Sequence, residues 1–327
     1  MEQRMLGRTG RTVGVVGLGA WQLGGDWGSV SEDAALGVLH AAVDAGVTFI
    51  DTADVYGDGR SERLVGRVLA ERPDGGLTVA TKMGRRVEQR PELYDRAHFR
   101  DWNERSRENL GVETIDLVQL HCPPPAVYAD DDVFAALDEL VEEGRVRNYG
   151  VSVETVEEAR AAIARPHVAT VQIILNAFRL KPLERVLPDA REAGVGIIAR
   201  VPLASGLLSG KYDEHTAFDA DDHRNYNRHG EAFDVGETFS GVDFATGLEA
   251  VRRLLPAVPT DATMPQFALR WIIDQPGVSV VIPGARNAEQ ARGNVAAATL
   301  PPLSEEQQAA VREVYERHIS EHVHDRW

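Results

Sequence analysis

Eight short β-favouring runs recur along this chain at residues 15–20, 48–53, 77–82, 115–121, 149–153, 170–175, 196–202 and 278–283. Helical patterns lie between them, among them residues 31–46, 61–72, 132–144, 155–164, 188–194 and 264–275, with Ser31 and Ser61 placed as N-caps. Parallel strands need helical crossovers, and eight such units close a sheet with no free edge. The alternation therefore predicts an α/β fold, a single (β/α)8 TIM barrel spanning residues 1–327. Two additions are expected. RMLGRTGRTV, residues 4–13, carries a Gly-centred turn between short extended pieces and predicts an N-terminal β-hairpin across the barrel floor. After the seventh barrel strand, residues 212–247 are polar but interleaved with Phe218, Tyr226, Phe233, Phe239 and Phe244, the pattern of a long loop serving as a lid.

Composition narrows the function classes. The net charge of −16 leaves no basic stripe for nucleic acid, so an anionic ligand must meet a local cationic pocket. With 43% hydrophobic and 26% charged residues the chain reads as globular, and no apolar run reaches the length of a membrane span, so no membrane partner is expected. The single cysteine, Cys122, cannot form an internal disulfide, and the N-terminus lacks the apolar core of a signal peptide. A cytoplasmic location is the expectation. Oligomeric state is left open.

In a barrel of this type the site collects at the C-terminal ends of the strands. The second run reaches Asp51, the third ends at Lys82 and the fourth at His121, while Tyr56 follows the second strand in a turn closed by Gly57. A phenol is a poor acid near neutral pH, but a neighbouring ammonium stabilises its phenolate, and a carboxylate keeps that ammonium charged when buried. Asp51, Lys82, Tyr56 and His121 thus form a proton-donating group for a carbonyl oxygen. No nucleophile accompanies them. After the last strand, Gly284 permits a close turn, Arg286 presents a fork suited to phosphate, and Gln290 and Asn294 share one helix face.

Other signals are weaker. GLGAWQLGG fails as a Rossmann fingerprint because Gln22 stands where the third Gly is required. It also lacks the His-x-His of a metal-dependent barrel hydrolase, and His318, His322 and His324 lack partners for a metal site, so no metal is expected. Trp21, Trp27 and Met83 follow the first and third strands and are candidates for a substrate wall or for core packing.

The order Asp51, Tyr56, Lys82, His121, with GLGAWQLGG before it and VVIPGARNAEQARGN near the end, resembles the aldo-keto reductase family over nearly the whole chain. The resemblance implies NADPH-dependent reduction of a small aldehyde or ketone, reversible as alcohol oxidation, with NADP(H) as hydride carrier and Tyr56 as general acid. It places Arg286 on the adenosine 2′-phosphate, Gln290 and Asn294 on the adenine, and Leu203, Gly206, Leu207 and Lys211 on the pyrophosphate. Ser152 and Gln172 would contact the carboxamide, Arg200 would lie beneath the nicotinamide, and Pro202 and Ile282 are further cofactor-side positions. The alternative it implies is an NADP-holding, channel-associated redox subunit with little turnover. The chain departs from the family at Val153, where Asn is usual, and at Arg200, where many relatives carry an aromatic residue. An uncompensated Arg200 would disfavour the cationic oxidised ring, whereas a carboxylate from the lid would cancel most of that effect.

Overall fold

Each of the eight apolar runs contributes a barrel strand in the computed structural model, which describes residues 1–25 and 30–327. A hairpin of β1 (Gln3–Met5) and β2 (Thr12–Gly14) precedes β3 (Leu18–Gly19), β4 (Phe49–Asp51), β5 (Thr78–Met83) and β6 (Ile115–His121). Then follow β7 (Val146–Ser152), β8 (Val168–Ile174), β9 (Gly196–Arg200) and β10 (Val278–Val281). Strands β3 to β10 pair in chain order, all parallel, and the bridges Val16 to Val281 and Gly19 to Gly284 join the last strand to the first. The chain is a (β/α)8 barrel. Among the described residues, no helix is long and apolar enough to cross a membrane.

The antiparallel hairpin closes the floor. Its Leu6 and Val13 join Phe49, Ala80, Leu117, Ile198, Val280 and Ile282 in an apolar cluster separate from the larger core between barrel and helices. Side chains on a strand repeat with period two. Two residues beyond Phe49, Ala80, Leu117 and Ile198, the barrel interior therefore receives Asp51, Lys82, Gln119 and Arg200, and apolar packing gives way to a polar layer.

The helices mostly follow the sequence pattern. Ser31 caps Glu32–Asp44, its side chain accepting from the Ala34 amide. Ser61 is not a cap: Arg60–Glu71 starts one residue earlier, after a left-handed Gly59. The Ser61 hydroxyl instead donates to the Ala20 carbonyl at 3.0 Å and accepts from Thr52 at 2.8 Å, tying together the first two barrel loops. The helix Arg96–Leu110 was not legible because its buried face mixes Asn103 and Ser106 with Phe99, Trp102 and Leu110, which weakens the apolar period.

The segment after β9 is ordered by its aromatics. Tyr212, Phe218, Phe239 and Phe244 pack with ring centroids 5.1 to 6.2 Å apart, and the Arg228 guanidinium lies over three of them. Trp327 fastens the outer side, its indole donating to Asp234 at 3.0 Å while Arg179 stacks 3.6 Å from its ring centroid.

The floor yields a stability prediction. A Cβ on Gly7 would fall 2.1 Å from the Gly196 amide nitrogen and 2.2 Å from the Ala169 carbonyl oxygen, both backbone atoms, whereas a Cβ on Gly10 meets nothing within 4 Å. Both glycines are left-handed, at φ +52° and +68°. Gly10→Ala should cost roughly 1 kcal/mol from backbone conformation alone. Gly7→Ala should cost about 3 kcal/mol or more because the clash is added. Urea unfolding midpoints check this, and equal losses in the two variants would refute the plugged floor.

Candidate active site

The barrel's C-terminal rim opens into a cavity of about 370 Å³ lined by all four of Asp51, Tyr56, Lys82 and His121. Strand geometry delivers three of them: β4 ends at Asp51, β5 presents Lys82 inward, and β6 ends at His121. Tyr56 arrives from the turn after β4, where its amide donates to the Ala53 carbonyl at 3.1 Å.

Lys82 is the centre of the arrangement. Its Nζ lies 2.5 Å from Asp51 Oδ1, 3.0 Å from the Thr52 carbonyl and 3.2 Å from the Tyr56 hydroxyl. Those three acceptors take its three donors. Burial works to strip the proton from Lys82, but the neighbouring Asp51 and Tyr56 outweigh it and hold the ammonium above its ordinary range. For Tyr56 the balance goes the other way. Burial raises the phenol more than Lys82 lowers it, so Tyr56 stays a protonated donor at neutral pH, and Lys82 limits the cost of the phenolate. Burial, followed by the charges of Arg85, Lys82 and Arg200, pushes His121 well below its usual range, so its ring is neutral at pH 7. Its Nδ1 is buried with no hydrogen-bond partner.

The second oxygen of Asp51 is also occupied. Gln119 Nε2 donates to Oδ2 at 3.1 Å and Gln172 Nε2 at 2.8 Å, and Gln172 also donates to Gln119 at 3.2 Å. Gln119 was missed from sequence. The available signal was a lone amide in an apolar strand, two residues before His121 and therefore on the same face. Gln172 lines the cavity, but its amide nitrogen is directed to Asp51, which makes it part of the hydrogen-bond network around Lys82.

Ser152, Arg200, Pro202, Leu203, Gly206, Lys211, Ile282, Gly284, Arg286, Gln290 and Asn294 line the same cavity. Two expected residues do not. Met83 is fully buried, because the residue after an inward Lys82 must point outward to the helices. Leu207 is likewise buried in the outer core. Trp27 lies outside the described residues. Trp21 does line the cavity, with its ring 6.1 Å from Tyr56, 4.9 Å from His223 and 5.8 Å from Phe233, so it bridges Tyr56 and the long segment after β9.

Arg200 is compensated. Its guanidinium contacts Glu154 at 2.7 Å, the Val153 carbonyl at 3.0 Å and, more distantly, Glu237 of the lid at 3.8 Å. Arg85 contacts the same two carboxylates at 3.3 and 3.1 Å. Two arginines and two carboxylates thus form a largely buried group beside the cavity, and Val153 supplies a carbonyl to it. Cys122 sits against this group, its thiol pushed up to about 12 by burial, so it is protonated at neutral pH. Of the C-terminal histidines, His324 bonds Tyr315 at 2.9 Å and meets Glu184 at 3.2 Å.

Just after β9, Val201, Ala204 and Ser205 adopt φ of 52°, 46° and 53°, left-handed values that non-glycine residues hold only where the surroundings enforce them. Across the cavity, Asn287 caps the helix Ala288–Ala296. The Arg286 amide donates to Gln290 Oε1 at 2.8 Å, and Asn294 donates to the Gly284 carbonyl at 3.0 Å, which holds Arg286 at the helix N-terminus.

Comparison with known proteins agrees with this geometry. The sequence profile described as the Aldo/keto reductase family matches residues 15–316. The chain is similar to the aldo-keto reductase YhdN of Bacillus subtilis, 32% identical over 99% of this chain and 96% of that protein. It is 35% identical to the aldo-keto reductase str7 of Strobilurus tenacellus over 93% of this chain and 88% of that one. Among solved structures, the glycerol dehydrogenase AKR11B4 of Gluconobacter oxydans superposes with a TM-score of 0.78 at 32% identity, covering 97% and 95% of the two chains. An aldo/keto reductase of Klebsiella pneumoniae, in complex with NADP and acetate, shares the fold at a TM-score of 0.72 and 23% identity, each chain covered to 96%. With the profile spanning most of its length and the barrel rim arranged as described, this chain belongs to the aldo/keto reductase family.

Proposed function

We propose that this protein reduces a small aldehyde or ketone at the expense of NADPH, with Tyr56 as general acid. The observation that carries the reading is the position of Lys82 Nζ, 2.5 Å from Asp51 and 3.2 Å from the Tyr56 hydroxyl, inside a cavity that also holds His121. The residues fit a dinucleotide phosphate. Arg286 and Lys211 line the cavity, a helix N-terminus lies beside Arg286, and the strained backbone at 201–206 forms the facing wall. NADPH, when bound, supplies a hydride to the carbonyl carbon. The protein complements it by moving a proton.

The Tyr56 hydroxyl donates its proton to the carbonyl oxygen as negative charge develops there. Lys82 stabilises the phenolate left behind, and Asp51 keeps Lys82 charged while Gln119 and Gln172 hold Asp51 in place. Neutral His121 orients the carbonyl oxygen by hydrogen bonding without adding a second charge. Alcohol oxidation uses the same groups in reverse.

Tyr56→Phe should abolish carbonyl reduction while leaving NADPH binding nearly unchanged, measured by NADPH oxidation with an aldehyde panel alongside fluorescence titration. Turnover near the wild-type rate would remove Tyr56 from its role. Arg286→Ala should weaken NADPH about tenfold or more with little effect on NADH, since a charge-assisted hydrogen bond contributes about 1.5–3 kcal/mol and only NADPH carries the 2′-phosphate. Titration calorimetry with both cofactors checks this, and equal weakening would overturn the assignment of Arg286.

A further inference from the structure

The group formed by Arg85, Glu154, Arg200 and Glu237 is built from four separate parts of the chain. Arg85 follows β5, Glu154 follows β7, Arg200 ends β9, and Glu237 belongs to the lid. Arg200 and Glu237 both line the cavity that holds Tyr56, Lys82 and His121. With both carboxylates ionised the two arginines and two carboxylates sum to zero charge, and this balance requires Glu237 to be in place. Glu154 alone must otherwise serve both arginines.

We propose that Glu237 is a positioning residue that sets the protein's relative affinity for oxidised and reduced nicotinamide cofactor, by neutralising Arg200 from the lid. This rests on the proposed function. The hydride must reach a carbonyl whose oxygen touches Tyr56, and the phosphates belong at Arg286 and Lys211, so the wall of Ser152, Gln172 and Arg200 would face the nicotinamide. That ring is positive when oxidised and neutral when reduced. A net positive charge on the wall therefore disfavours the oxidised form and leaves the reduced form nearly unaffected.

The lid residue is placed firmly enough for this role. The Ser205 hydroxyl donates to the Glu237 carbonyl at 2.9 Å and accepts from the Phe239 amide at 3.1 Å, so lid and cofactor-side loop are joined at this point. Glu237 Oε1 accepts from Arg85 Nη1 and Nη2, each at 3.1 Å. Other groups facing the cluster are Cys122, which stays a neutral thiol, Asp234 of the lid, Arg179 after β8, His121 at the end of β6, and Tyr94 and Tyr128. None of them substitutes for Glu237 at Arg200.

The two carboxylates also repel each other. Burial first, and then the charge of Glu237, raises Glu154 to about 7. Glu237 is held low because Arg85 and Arg200 outweigh its burial. As pH falls through that value Glu154 takes a proton and the cluster becomes net positive. Acidification should thus weaken the oxidised form selectively. The 2′-phosphate titrates alike in both cofactors and cancels from their affinity ratio.

The test is fluorescence titration of the full chain with NADP⁺ and with NADPH, with thermal unfolding as a control for folding. In Glu237→Gln the ratio of the NADP⁺ to the NADPH dissociation constant should rise about fivefold or more at pH 8. The double variant Arg200→Gln/Glu237→Gln should return it toward wild type, because Arg85 and Glu154 then balance. In the wild type the ratio should rise as pH falls through about 7. In Glu237→Gln the ratio should start high at pH 8 and its further rise should move to lower pH, since the repulsion from Glu237 is gone while the burial of Glu154 remains. A ratio unchanged within twofold in Glu237→Gln, or an equal rise in the double variant, overturns the inference. Should Glu237→Gln fail to fold, the wild-type pH series decides alone, and a ratio independent of pH is the overturning result. Failure of the wild type to bind either cofactor would instead defeat the proposed function.

Discussion

A buried ammonium between a carboxylate and a phenol is the interaction on which the rest of this structure depends. Taken alone, Lys82 in the barrel interior would lose its proton, and Asp51 would be a desolvated anion without compensation. Together, Asp51, Tyr56 and the Thr52 carbonyl satisfy all three ammonium donors, and the amides of Gln119 and Gln172 close the remaining carboxylate oxygen. Removing any one member leaves a buried polar group exposed to the full cost of desolvation. With Lys82 and Asp51 fully occupied, the Tyr56 hydroxyl and His121 are the members of the quartet that line the cavity without such a set of partners.

The barrel makes this possible through strand alternation. The apolar layer above the hairpin, from Phe49, Ala80, Leu117 and Ile198, excludes water from below, and the next inward positions carry the polar groups. The low dielectric that makes Lys82 costly also strengthens its interaction with the Tyr56 oxygen. The wall nearer the lid follows a different principle. There charge is balanced between arginines and glutamates drawn from distant loops, so the local field depends on where the lid lies.

Much of this was legible in the sequence. The alternation of runs was enough for the barrel, since parallel strands admit few other closures. Asp51, Lys82 and His121 stood out because each is a polar residue at the end of an apolar run, and Arg286, Gln290 and Asn294 because they recur every four residues. Gln119 was harder to see, being one amide inside a strand. For Met83 the sequence reading held both a substrate wall and core packing, and strand alternation decides for the core, since the neighbour of an inward lysine lies on the outer face. Ser61 looked like a cap, but a left-handed glycine moved the helix start and freed its hydroxyl for the loop beneath.

The sequence by itself determined which strands exist, their order and the identities of the groups at their ends, because these follow from local periodicity and from the short reach between neighbouring residues. Tertiary structure alone decided the charge state of the site. Arg85 and Glu237 are 152 positions apart and meet only because the lid folds back across the rim, and burial, a property of the assembled barrel, sets whether Lys82, Tyr56, His121 and Glu154 hold their protons.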